Sequence, residues 1–167
     1  MIKLYPPVLR VNWRKSWGVQ VFLDVQGKWS NVLKAVSQGF GLENTYPQLL
    51  PQYNAWGLKG HNGFDIVTLD GDPIVASHDG EIIQISEDIS AGLGCEIWNK
   101  EGQFKTIYWH QKFKTVKLGD KVKRGDLLGY SNSTGFSTAT HLHWGFKLTD
   151  VNGKKINIPS YNVKVDD

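Results

Sequence analysis

The chain has 167 residues, of which 40% are hydrophobic and 21% charged, a length and balance that fit one globular domain and exclude a disordered polymer. No run approaches the roughly 20 apolar residues needed to cross a bilayer, so no membrane span is expected. The net charge of +3 is uneven: residues 1–34 hold six basic residues against Asp24 alone, a balance of +5, and the remaining 133 balance at −2. A basic leading segment suits an anionic polymer or surface. No nucleic-acid partner is expected, because no helix-turn-helix, zinc-finger or RNA-binding signature is present.

The start, MIKLYPPVLRVNWRK, has no apolar h-region and does not read as a secretory signal. Within 1–34, VQVFLDV reads as a strand, and AVSQGFG (35–41) as a short strand and turn. ENTYPQLLPQYNAWGLKG (43–60) reads as a long loop, of the kind that carries function. After it come FDIVTL, PIVASH, EIIQIS, CEIWN, FKTIYWH and LLGYS, separated by turns with Gly or Asp. This is a mainly β, antiparallel chain with few helices. ATHLHWGFKL follows, and Asn152-Gly153 predicts a type I′ hairpin turn. Cys95, the lone cysteine, reads as a buried structural thiol.

Four of the five histidines are arranged informatively. His141 and His143 in HLHW project from one face of a strand, with Leu142 and Trp144 on the other. Both could meet one metal ion, or one could bind it while the other faces its water. HNGFD supplies His61 and Asp65 on a turn running into a strand, Gly63 letting the chain fold back. Two imidazoles and a carboxylate leave a tetrahedral zinc ion one open position, the catalytic pattern, and zinc brings the pKa of its water to about 7. Alternation along FKTIYWH places Tyr108 and His110 on one face. No H-E-x-x-H is present, so a histidine must act as the base.

SQGFG, GHNGFDI, DPIVASHDGEI, TIYWHQ, VKLGDKVKRGDLLGYSNSTG and HLHW together resemble the lysostaphin/LytM-type zinc metallopeptidases over about residues 35–150. The resemblance implies that His61, Asp65 and His143 hold one zinc ion per chain. It implies that His141 activates the water and that His110 stabilises the transition state or shares the proton work. It also implies a two-layer antiparallel β-sheet peptidase core with long groove-forming loops, and cleavage of peptidoglycan cross-bridge or stem peptides. The sequence departs from the family at Ala139-Thr140, where Gly-Pro is frequent, and at Trp109, where a small residue is.

On this reading residues 1–34 are a basic extension with a possible anionic wall polymer as partner, 35–150 the peptidase domain, and 151–167 a C-terminal hairpin strand and tail packed on the core. Asn62, Tyr108 and Trp56 are candidates for substrate contact, and His78 for a surface turn. The protein is expected to act as a monomer on the cell wall, extracellular or periplasmic, as a phage lysin, a virion-borne protein or a processed secreted one. Two other readings compete. One is an inactive module of the same fold that binds wall or activates another hydrolase. The other is a lipoyl- or biotinyl-type carrier, suggested by VKLGDKVKRGDLLGY but lacking the lysine-methionine hairpin tip, since Met1 is the only methionine.

Overall fold

The computed structural model describes residues 2–8, 21–23, 36–156 and 163–165. Its strands are β1 (Ile2–Leu4), β2 (Val21–Leu23), β3 (Val36–Gln38), β4 (Phe64–Val67), β5 (Pro73–Val75), β6 (Gly80–Asp88), β7 (Gly92–Asn99), β8 (Phe104–Lys114), β9 (Lys121–Val122), β10 (Leu127–Ser131), β11 (His141–Leu148) and β12 (Val163–Val165). Among the described residues, the larger sheet runs β3-β4-β11-β8-β7-β6-β9, all antiparallel, with β10 joined to β8 and β5. Eleven-residue β8 makes this possible: Phe104–Trp109 pair with β11 and Gln111–Lys114 with β10. The strands read between residues 64 and 148 are all present, β9 is an addition to them, and most of the expected C-terminal strand and tail after residue 156 lies outside the described residues.

The core follows from alternation. Leu142, Trp144 and Phe146 of β11 are buried together with Phe64, Ile66, Ile82, Ile97 and Tyr108, and Ile74 and Leu128 from β5 and β10 close over the same cluster. Cys95 lies within it, and burial pushes its thiol up to about 12, which keeps it inert. Leu4 and Val8 also enter the core. β1 pairs with β12, and β12 with β2, in a separate three-stranded sheet. The VQVFLDV strand is therefore present at Val21–Leu23, whereas five of the six basic residues of 1–34 lie outside the described residues. Among the described residues, no helix is long and apolar enough to cross a membrane.

Three local expectations are corrected. Residues 43–60 are not a bare loop: two short 3-10 turns, Leu42–Asn44 and Pro47–Leu49, lead into the helix α1 (Leu50–Ala55). Both prolines sit in first turns, where a missing N–H loses no helical hydrogen bond. At the 150–153 turn only Gly153 has positive φ, +81°, while Gly153 N–H donates to Asp150 O. Type I′ would need Asn152 there as well.

His78 is the third, buried rather than a surface turn residue. Its Nδ1 lies 2.9 Å from Asp79 O, a carbonyl that can only accept, so that nitrogen carries the hydrogen. Nε2 then accepts from the Thr106 hydroxyl at 2.8 Å, which leaves the Tyr108 hydroxyl to donate to Thr106 Oγ1 at 2.9 Å while accepting from Ser77 N–H at 2.9 Å. One run of donors thus satisfies four polar groups beneath the sheet, and burial lowers the His78 pKa to about 4. An unfolded chain takes up this proton near pH 6.5, so stability must fall as the pH drops from 6.5 towards 4. At pH 5 the loss is about 2 kcal/mol relative to pH 8. His78→Gln should remove that part of the acid-side slope in denaturant melts; an unchanged slope would contradict the buried neutral imidazole.

Candidate metal centre and groove

Register assembles the site. Antiparallel pairing of β4 with β11 sets Asp65 directly opposite His143. His61 lies just before β4, fixed by a bridge to Gly41 and by Thr45 Oγ1, which accepts from His61 N–H at 2.7 Å. The result is a nearly equilateral triangle: His61 Nε2 to His143 Nδ1 is 3.0 Å, and each lies 3.1 Å from Asp65 Oδ1. All three residues are buried.

Backbone carbonyls fix the imidazole tautomers. His61 Nδ1 donates to Gly39 O at 2.8 Å, His110 Nδ1 to Thr134 O at 2.6 Å and His141 Nδ1 to Ala139 O at 2.8 Å. A carbonyl only accepts, so in the neutral form of each of these rings Nε2 keeps a bare lone pair. The triangle therefore gathers the His61 Nε2 lone pair, a carboxylate oxygen and His143 Nδ1 with at most one hydrogen to share. Buried acceptors this close repel unless a cation lies among them. The donor set fits a divalent metal such as zinc, which takes imidazole nitrogen and carboxylate oxygen at about 2.0–2.2 Å. Among the described residues His143 Nε2 has no hydrogen-bond partner, which suits a ring turned to offer Nδ1.

Electrostatics follow the same geometry. Burial opposes ionisation of Asp65, yet His61, His141 and His143 around it hold its carboxyl well below the usual range. Burial lowers His143 to about 3 and, with His141 alongside, His110 to about 4, so both rings are neutral. Burial also disfavours protonating His141, but the Asp65 carboxylate outweighs it and raises the pKa. His141 Nε2 is 3.4 Å from Asp65 Oδ1, beside the triangle rather than part of it. The His110 and His141 rings meet at 4.6 Å.

The structure overturns the expected alternation at His110. Tyr108 faces the core, fully buried, with its hydroxyl on Thr106 and Ser77, and cannot touch substrate. Between the pairs Cys95–Tyr108 and Leu93–Gln111, β7 has one residue, Gly94, where β8 has two, Trp109 and His110. This is a β-bulge. His110 takes φ +65°, its N–H turning to Ala91 O at 3.0 Å. Trp109 and His110 thus both face the groove, and Trp109 stacks on His143 at 4.8 Å and 17°. A Cβ at Gly94 would lie 2.4 Å from Tyr108 O, so the bulge needs glycine.

The centre floors a groove of about 830 Å³ that includes Asn62 and Trp56. It also takes in residues the sequence did not single out. Tyr53 packs against His61 at 5.8 Å, its hydroxyl raised to about 12 by burial and by Asp65. Gln38 and Phe136 line the groove as well. Had α1 been recognised, the i, i+3 spacing of Tyr53 and Trp56 would have marked them as one face.

The profile of peptidase family M23 matches residues 59–158. The chain is 36% identical over 91 residues to the glycyl-glycine endopeptidase ALE-1 of Staphylococcus capitis, covering 53% of this chain and 25% of that protein. It is 36% identical over 101 residues to the peptidoglycan DD-endopeptidase ShyA of Vibrio cholerae, covering 59% and 23%. The crystal structure of a zinc-containing peptidase from Vibrio cholerae superposes with a TM-score of 0.59 at 26% identity, covering 77% of this chain and 36% of that one. The matched part of the chain spans between about a fifth and about a third of the curated relatives it matches.

Gly63 explains how His143 fits: a Cβ there would lie 2.6 Å from His143 Nε2 and 2.8 Å from Trp144 O. Gly63→Ala should displace the ring and weaken metal binding about 10- to 100-fold, measured by competition with a chromophoric chelator. Unchanged affinity would show that the ring does not need this contact.

Proposed function

The chain belongs to peptidase family M23, and from that premise we propose that it is a zinc-dependent endopeptidase that hydrolyses peptide bonds in bacterial peptidoglycan, in cross-bridge or stem peptide, at the cell wall. The observation that carries this reading is the convergence of His61 Nε2, Asp65 Oδ1 and His143 Nδ1 on the floor of an open groove, with two further bare imidazole nitrogens alongside. The names of ALE-1 and ShyA support peptidoglycan peptide as the substrate class.

His61, Asp65 and His143 would hold the zinc, which supplies Lewis acidity towards a water and the scissile carbonyl oxygen. The remaining work belongs to side chains. His141 Nε2 is a bare lone pair held in place from behind by Ala139 O, placed to accept the proton of the attacking water. A cation among the ligands also offsets the Asp65 charge that raises the His141 pKa, which favours the neutral base. His110, locked by Thr134 O and touching the His141 ring, is placed to share that proton or to pass it to the departing amine. Trp109 holds the His143 plane by stacking.

Glycan cleavage would instead require two carboxylates about 5–10 Å apart flanking a sugar bond, and Asp65 is the one carboxylate lining the groove among the described residues. Purified walls incubated with the protein should therefore release new amino termini and no new reducing ends, and a chelator should stop the reaction. New reducing ends would overturn the assignment. Intact walls with zinc fully bound would favour the inactive wall-binding module.

A further inference from the structure

We propose that Trp56 and Phe136 form an aromatic bridge across the groove that determines specificity, admitting an uncharged peptide segment with small side chains and excluding a substituted or charged one. The inference rests on the endopeptidase reading above and adds to it which residues select the substrate. Trp56 follows α1 on one wall and Phe136 sits in the 134–140 loop on the other. Their rings meet edge to face at 5.4 Å and 88°. Both are substantially exposed, Trp56 by 39% and Phe136 by 44%, so the pair is no part of the core.

Each ring is held from its own side. Trp56 N–H donates to Gln52 O and Tyr53 O, and its ring stands against Tyr53 at 5.9 Å, which in turn packs on His61. Phe136 N–H donates to Ser90 O at 3.0 Å, and its neighbour Ser137 contacts His141 Nδ1 at 3.2 Å. The bridge therefore links the metal-ligand wall to the base wall. Where the rings touch, the walls touch, and a side chain can pass only by parting them. A second observation is independent: among the described residues the groove is lined by no Lys, Arg or Glu, and its charge-bearing groups are Asp65 and the histidines. A charged substrate side chain would find no partner there and would lose its hydration.

The test compares release of amino termini from two purified walls, one cross-linked through glycine bridges and one cross-linked directly between stem peptides, which carry methyl and carboxylate groups. Wild type should favour the glycine-bridged wall by about tenfold or more, and Trp56→Ala or Phe136→Ala should bring that ratio close to one. The double variant should go no further, since the rings act as one contact, and Trp56→Phe should keep much of the preference. Zinc content and melting temperature confirm that the variants fold. A ratio that survives both alanine substitutions, or a wild-type preference for the direct cross-link, overturns the inference while leaving the endopeptidase reading intact. Cleavage of neither wall by zinc-loaded wild type brings down both.

Discussion

The site depends on one register: the antiparallel pairing of β4 with β11 that sets Asp65 across from His143. A slip of one residue would turn His143 into the core and Leu142 or Trp144 into the groove. The core guards against this, because Leu142, Trp144, Phe64 and Ile66 are all buried on the opposite face. Hydrophobic burial thus fixes where the polar residues go. Burying a fully closed Leu or Phe side chain is worth roughly 1.5–3 kcal/mol, and several such residues would be exposed by the slip.

What the register assembles is unfavourable by itself. Two imidazoles and a carboxylate lie 3.0–3.1 Å apart in a buried place, with too few hydrogens among them. A metal ion held there would relieve this, which would link metal binding to folding stability. Carbonyls of Gly39, Thr134 and Ala139 choose the tautomers of three histidines before any ligand arrives. The bulge at Trp109-His110 completes the arrangement by turning two consecutive side chains to the same face. Trp109, a departure from the small residue frequent in the family, steadies His143 by stacking.

Much of this was legible in the sequence. Period-two alternation placed His141 and His143 on one face with Leu142 and Trp144 inside, and the structure agrees. Turn residues marked β4 to β8 and β10. The errors share one cause, since local pattern cannot see what the chain later packs against. His78 carries a turn-like context, yet Thr106, distant in sequence, draws it inside. Tyr108 and His110 have strand spacing, yet a single glycine in the neighbouring strand creates the bulge that separates them. α1 is only six residues long, too short to show helical periodicity. Phe136 acquires its meaning only from Trp56, eighty residues before it in the chain.

The central claim is that three residues hold the metal and that His141, although two positions from a ligand, works on the proton instead. Zinc content per chain after dialysis, measured by elemental mass spectrometry beside wall-cleaving activity, tests it directly in wild type, His143→Ala and His141→Ala. The account predicts one zinc in wild type, none in His143→Ala, and nearly full zinc in His141→Ala with activity lost. Zinc lost from His141→Ala as completely as from His143→Ala would contradict it.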